Sequence, residues 1–301
     1  MQCAVGFSGA FSGNGMTAIG FACLSLLFAA ALDLSFNQYA NAPRSRGMYV
    51  AGIGLVWGVL QLLFADLDLL SWPTDSVALG FCVAAGLCVA VANLLLIESL
   101  SHVDVSLGST VYRLNTVGVV LLSFLLLGEP LGMAKLTAIA LGVSAAVLLY
   151  GAPAGATTRA LHNAFFWLVV LASALRACFG ILSKAALTYG VNQSTLLLAG
   201  AVSWIIGGLL YAWLRERRVK ITVTKLGYSA VSGTLVFLVV NTLILGLQKG
   251  DASTVIPIAN LSFVLVLIVS IALRMEVLTR RKACALVLAI ACIWMMSTVP
   301  A

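Results

Sequence analysis

The sequence predicts an all-α integral membrane protein, with ten transmembrane helices as two inverted-topology five-helix repeats. Three observations carry this. The 301 residues are 62% hydrophobic and only 9% charged, with a mean hydropathy of +1.10, whereas a soluble domain carries roughly 25% charged residues. The apolar stretches run to about 18–27 residues each, long enough for a helix to cross a ~30 Å hydrocarbon core. The second half of the chain also repeats polar positions of the first at a constant offset. Period-2 alternation is weak, which argues against a transmembrane barrel.

In chain order the expected spans are 14–36, 48–65, 76–98, 104–127, 132–150, 161–187, 193–213, 225–247, 253–273 and 282–299. The first runs to "DLSFNQYA". The second contains "GLVWG", where Gly54 and Gly58 form a small-xxx-small surface suited to a contact within the chain or to a homodimer seam. The fourth ends in "GEPL" and the fifth follows at once. "YGAPAGATTRA" (150–160) has the Gly, Pro and Thr of a loop and falls at the midpoint, dividing the chain into repeats 1–150 and 151–301. The seventh and ninth spans end in basic clusters, "LRERRVKITVTK" and "LRMEVLTRRK". Pro257 removes a backbone donor inside the ninth, as a gating hinge or a packing kink.

The repeat is read from polar matches, since apolar ones are cheap in such a composition. An offset of 147 pairs Asp104 with Asp251, Ser106 with Ser253, Ser123 with Ser270, Glu129 with Glu276 and Lys135 with Lys282. An offset of 148 lays Ser25 and Ser35 on Ser173 and Ser183. Five helices is an odd number, so the second repeat enters the membrane in the opposite sense. Such repeats place a solute site near the midplane where the halves meet.

These halves, closing in "LLLGEPLGMAKLTAIALGVSAAVLLY" and "ALRMEVLTRRKACALVLAIACIWMM", resemble the EamA-like branch of the drug/metabolite transporter superfamily along the whole chain. The resemblance implies a ten-helix basket whose cavity is lined by helices 1, 3, 4, 6, 8 and 9, with 5 and 10 peripheral. It also implies secondary transport of a small metabolite. One departure is the lysine that many relatives carry near the end of helix 1: this chain has Phe36, Asn37 and Gln38 there, and Lys184 at the aligned position of the second repeat.

Arginines inside spans are the residues that call for a function, because a charge at the bilayer centre costs several kcal/mol. Arg113 lies about ten residues into helix 4, roughly 15 Å deep at 1.5 Å per residue, and Arg176 lies halfway along helix 6. Each is either a ligand for an anionic solute or a structural partner for an internal carboxylate, Asp33 or Glu98. Asn93, Asn241 and Asn260 sit deep in helices 3, 8 and 9, as solute ligands or interhelical hydrogen bonds. Tyr112 and Asn115 flank Arg113 and could line a cavity, though one helix cannot turn 112, 113 and 115 the same way. Asp33 and Glu98 are also the proton-coupling candidates. Glu129 and Glu276 read as solvated loop residues or helix caps.

Other classes are disfavoured. The seven cysteines form no CxxC pair, the two histidines lack a neighbouring nucleophile or metal spacing, and no nucleotide-binding glycine loop exists. No catalytic residue, metal or cofactor is therefore expected. The net charge of +7 sits in short loops, which points to topology rather than nucleic acid. Loops after helices 1, 5, 7 and 9 hold twelve Lys and Arg against three on the other side (Lys135, Lys184 and Lys249). The positive-inside rule makes those loops cytoplasmic and both termini external, opposite to what the resemblance implies. The expected partners are a lipid bilayer, of the bacterial cytoplasmic membrane, and a small-molecule substrate. An amino acid or other carboxylate-bearing zwitterion is the first guess, and a membrane scaffold or sensor retaining the fold is the alternative.

Overall fold

A computed structural model describes residues 17–40, 45–64, 75–99, 112, 115–149, 159–217, 222–272 and 279–298. All regular structure among them is helical. The helices are α1 (Ala18–Ala40), α2 (Arg46–Phe64), α3 (Ser76–Ser99), α4 (Asn115–Leu122), α5 (Met133–Leu149), α6 (Arg159–Thr188), α7 (Gln193–Tyr211), α8 (Val223–Lys249), α9 (Ala252–Ala259), α10 (Ser262–Ala272) and α11 (Arg280–Thr298). α4 and α7 each run on through a π-helical turn, Ser123–Leu127 and Ala212–Glu216. Six helices (α1, α2, α3, α6, α7 and α8) are long and apolar enough to cross a membrane, and the other apolar helical stretches are shorter. Large apolar side chains such as Leu63, Leu125, Trp213 and Val287 point outward. Hydrocarbon accepts such a surface without cost, whereas water does not.

Helices adjacent in sequence touch little, and the extensive contacts join α1–α5 to α6–α11. α3 lies on α6 and α7, α8 lies on α1 and α2, α2 runs along α7, and α5 runs along α11. This set of pairs is unchanged when α1, α2, α3 and α5 are exchanged with α6, α7, α8 and α11. Lipid tails are as apolar as leucine, so helices associate in a membrane through close packing and hydrogen bonds. The α2–α7 seam shows both. A Cβ on Gly208 would stand 2.4 Å from Ala51 N, and one on Gly54 would stand 2.9 Å from Ile205 N. The Gly54/Gly58 surface is thus occupied by α7 of the same chain. Beside it, Trp57 and Trp204 meet edge to face at 6.2 Å, both buried.

The "GEPL" stretch has a local cause. Gly128 adopts φ 66°, a left-handed conformation that glycine takes without strain, and its N–H closes the π-turn on Ser123 O. Glu129 is thereby turned inward and Pro130 cannot extend the helix.

Candidate functional site

The ninth expected span is two helices rather than one. Pro257 cannot donate to Ser253 O, so the last turn of α9 is already weakened. The chain then passes through a tight turn at Asn260 and Leu261. Leu261 N bonds Ile258 O at 3.0 Å and Val264 N bonds Leu261 O at 2.9 Å, before α10 resumes. The break aims the Asn260 side chain at α4, where Nδ2 donates to Asn115 Oδ1 at 2.5 Å and to Thr116 Oγ1 at 3.1 Å. Two residues on, Ser262 Oγ donates to Asp33 Oδ2 at 3.2 Å. α1, α4 and the broken span therefore meet through polar groups in an otherwise apolar interior.

Arg176 belongs to the same level. A Cβ on Gly118 would touch Ala177, and one on Gly180 would touch both Val119 and Ile256. α4 and α6 thus run in register and parallel, with Ile256 of α9 opposite Gly180. Asn260 pairs with Asn115 and Thr116 while Ile256 lies by Val119, so α9 runs antiparallel to both. From Gly180 to Arg176, and from Ile256 to Asn260, the descent is four residues, about 6 Å. Arg176 also shares with Gly180 the helix face turned towards α4 and α9. Its guanidinium is half-buried, with Cζ 5.3 Å from the centroid of the Phe179 ring. Among the described residues no carboxylate pairs with it. A fixed cation, carboxamides that donate and accept, and hydroxyls at one depth can hold a carboxylate by charge-assisted hydrogen bonds.

The remaining candidates are placed elsewhere or differently. Arg113 lies outside the described residues, as do Glu276 and His102. Tyr112 is half-buried. Asn93 is buried in α3 and donates to its own helix at Val89 O, 2.8 Å. Asn241 joins three helices, donating to Gln61 Oε1 of α2 at 3.0 Å and accepting from Gln193 Nε2 of α7 at 3.1 Å. Its amide belongs to the α2–α7–α8 packing. Among the described residues Glu98 does not pair with Arg176. It meets Arg46 Nη1 at 3.2 Å, Arg215 Nη2 at 3.5 Å and the Tyr211 hydroxyl, at the end where α2 begins and α7 finishes. Lys184 caps α8, with Nζ 2.5 Å from Leu247 O and 2.8 Å from Gly250 O.

Two groupings escaped the sequence. Glu216 accepts from Arg46 N at 2.6 Å, from Gly47 N at 3.1 Å and from Ser45 Oγ, capping α2 from the end of α7. Glu129 is buried, not solvated, and caps α9, accepting from Ala252 N at 2.8 Å and Ser253 N at 3.0 Å. Beside it Lys135 Nζ lies 2.5 Å from Asp251 Oδ2 and 3.3 Å from Ser253 Oγ. The signal for this second group was present. All four residues are polar matches of the repeat, but an offset does not say that they touch one another.

No family model matches the chain, and no curated protein matches it. The fold is nevertheless found among solved structures. One crystal structure superposes with a TM-score of 0.77 at 16% identity, over 93% of this chain and 96% of that one. At that identity the likeness concerns the fold alone.

Proposed function

We propose that the chain is a secondary transporter of the EamA-like kind, built as two inverted five-helix repeats in the bacterial cytoplasmic membrane. It moves a small carboxylate-bearing solute, with an amino acid or similar zwitterion the first choice, by alternating access. The observation that carries this reading is Arg176: a guanidinium deep in the helix bundle, level with the Asn115–Asn260 pair, without a carboxylate partner among the described residues. A charge kept at that depth is costly, and an anionic solute would offset the cost. Arg113, two residues before Asn115 in the sequence, is the second cation of this reading. Asp33, which accepts from Ser262 Oγ, would add negative charge that favours an ammonium group.

The test is thermal melting of the purified chain in detergent against amino acids, organic acids, amines and sugars. A solute at a hundred times its Kd stabilises the folded state by about 2.7 kcal/mol. At least one carboxylate-bearing compound should raise the melting temperature of the wild type and leave folded Arg176→Gln and Arg113→Ala unchanged. If no compound shifts the wild type while both variants melt far lower, the arginines are structural and the scaffold reading replaces this one.

A further inference from the structure

We propose that α9 is the gate of the candidate site. It is held shut at its first turn by Glu129 and Lys135 and hinged at the Asn260–Leu261 turn, so that releasing the latch opens the site towards the face where α1 begins. This rests on reading the Arg176 level as a solute path. α9 has eight residues, about 12 Å of helix, between two non-helical joints. At one end Gly250 is extended, φ −157°; at the other lies the break. A rod jointed at both ends moves as a unit, and its C-terminal end carries Asn260, which bridges to Asn115 and Thr116. Motion of the first turn is therefore conveyed to the site.

The latch is chemically complete. Both oxygens of Glu129 are spent on the first two amides of α9, where the positive end of the helix dipole favours a carboxylate. Lys135, 2% exposed, neutralises Asp251 beside it. Every partner comes from the α4–α5 segment on one side and from α9 on the other, so the contacts break together. On its other flank the first turn borders a cavity of about 420 Å³, lined in part by Thr17, Lys249, Asp251 and Thr254. Among the described residues the opposite face shows no such joint. There Glu216 caps α2 where α2 and α7 are already in backbone contact, a Cβ on Gly47 standing 2.5 Å from Ala212 N.

The experiment uses a cysteine-free full-length chain in proteoliposomes, with Thr116→Cys as reporter and a membrane-impermeant maleimide as probe. Glu129→Gln should speed labelling about tenfold, equivalent to about 1.4 kcal/mol in the open population. Lys135→Met should act in the same direction. Unchanged labelling in variants that melt normally would overturn the gate. Should the variants not fold, hydrogen exchange of the wild type decides. The α9 amides should exchange as one unit, more readily than those of α8, and exchange only with global unfolding would contradict the proposal. Neither readout involves a solute. A gate that opens in a chain binding nothing leaves this proposal and removes the transport reading, whereas a bound solute with unchanged labelling does the reverse.

Discussion

Arg176 and Gly128 show two ways in which one residue shapes this molecule. Arg176 introduces a charge that the surrounding helices do not neutralise among their described residues, one helical turn from Gly180 just as Asn260 is from Ile256. Its presence inside a span was visible in the sequence. What was not visible was its depth relative to Asn115 and Asn260, which depends on the α4–α6 register set by Gly118 and Gly180. Asn241 illustrates the converse: its position in a span allowed a solute ligand or an interhelical hydrogen bond, and Gln61 and Gln193 take up its amide in the second way. Gly128 acts through the backbone. A Cβ there would meet no atom within 4 Å, but φ is 66°, so Gly128→Ala should cost about 1–2 kcal/mol of left-handed strain. A lower melting temperature in detergent checks this, and an unchanged one would show that the turn readjusts.

Six of the expected spans were legible as long apolar helices among the described residues, because an apolar run bounded by Gly, Pro or charge leaves few alternatives in a membrane. The run beginning near Arg46 gives α2 and the run ending near Lys249 gives α8. The ninth span was the exception. Its apolar pattern is continuous, and only Pro257 hinted at the break that falls three residues later, at Asn260. Pairing of elements was not legible at all, since composition does not say that α3 lies against α6 or that α2 lies against α7. Yet that pairing explains the glycines. Gly208→Ala would set a Cβ 2.4 Å from Ala51 N and 2.7 Å from Gly47 O, backbone atoms that yield only if α2 and α7 separate. A cost of at least about 1–3 kcal/mol is expected. Gly80→Ala, in α3 with open space around it, should instead stabilise by roughly 0.5–1 kcal/mol. Melting curves of the two variants should move in opposite directions, and equal shifts would remove the close-approach argument.

Across the molecule, polar contacts between the two halves of the chain among the described residues include groups at three depths. Glu129 and Lys135 hold α9 at the face where α1 begins, Asn260 and Arg176 mark the interior, and Glu98 with Glu216 gathers the ends of α2, α3 and α7 at the far face. A site reached alternately from two faces is what the proposed alternating access requires. Under the proposed function, the distribution of Lys and Arg along the sequence would put the far face in the cytoplasm. The central claim is that a carboxylate-bearing solute crosses by way of Arg176. Counterflow in proteoliposomes tests it most directly: vesicles are preloaded with each compound that stabilises the purified chain, and uptake of its labelled form is followed for wild type and Arg176→Gln. We expect transient accumulation with the wild type and none with the folded variant. Equal uptake by both would take Arg176 out of the path, and binding without any flux would contradict transport itself.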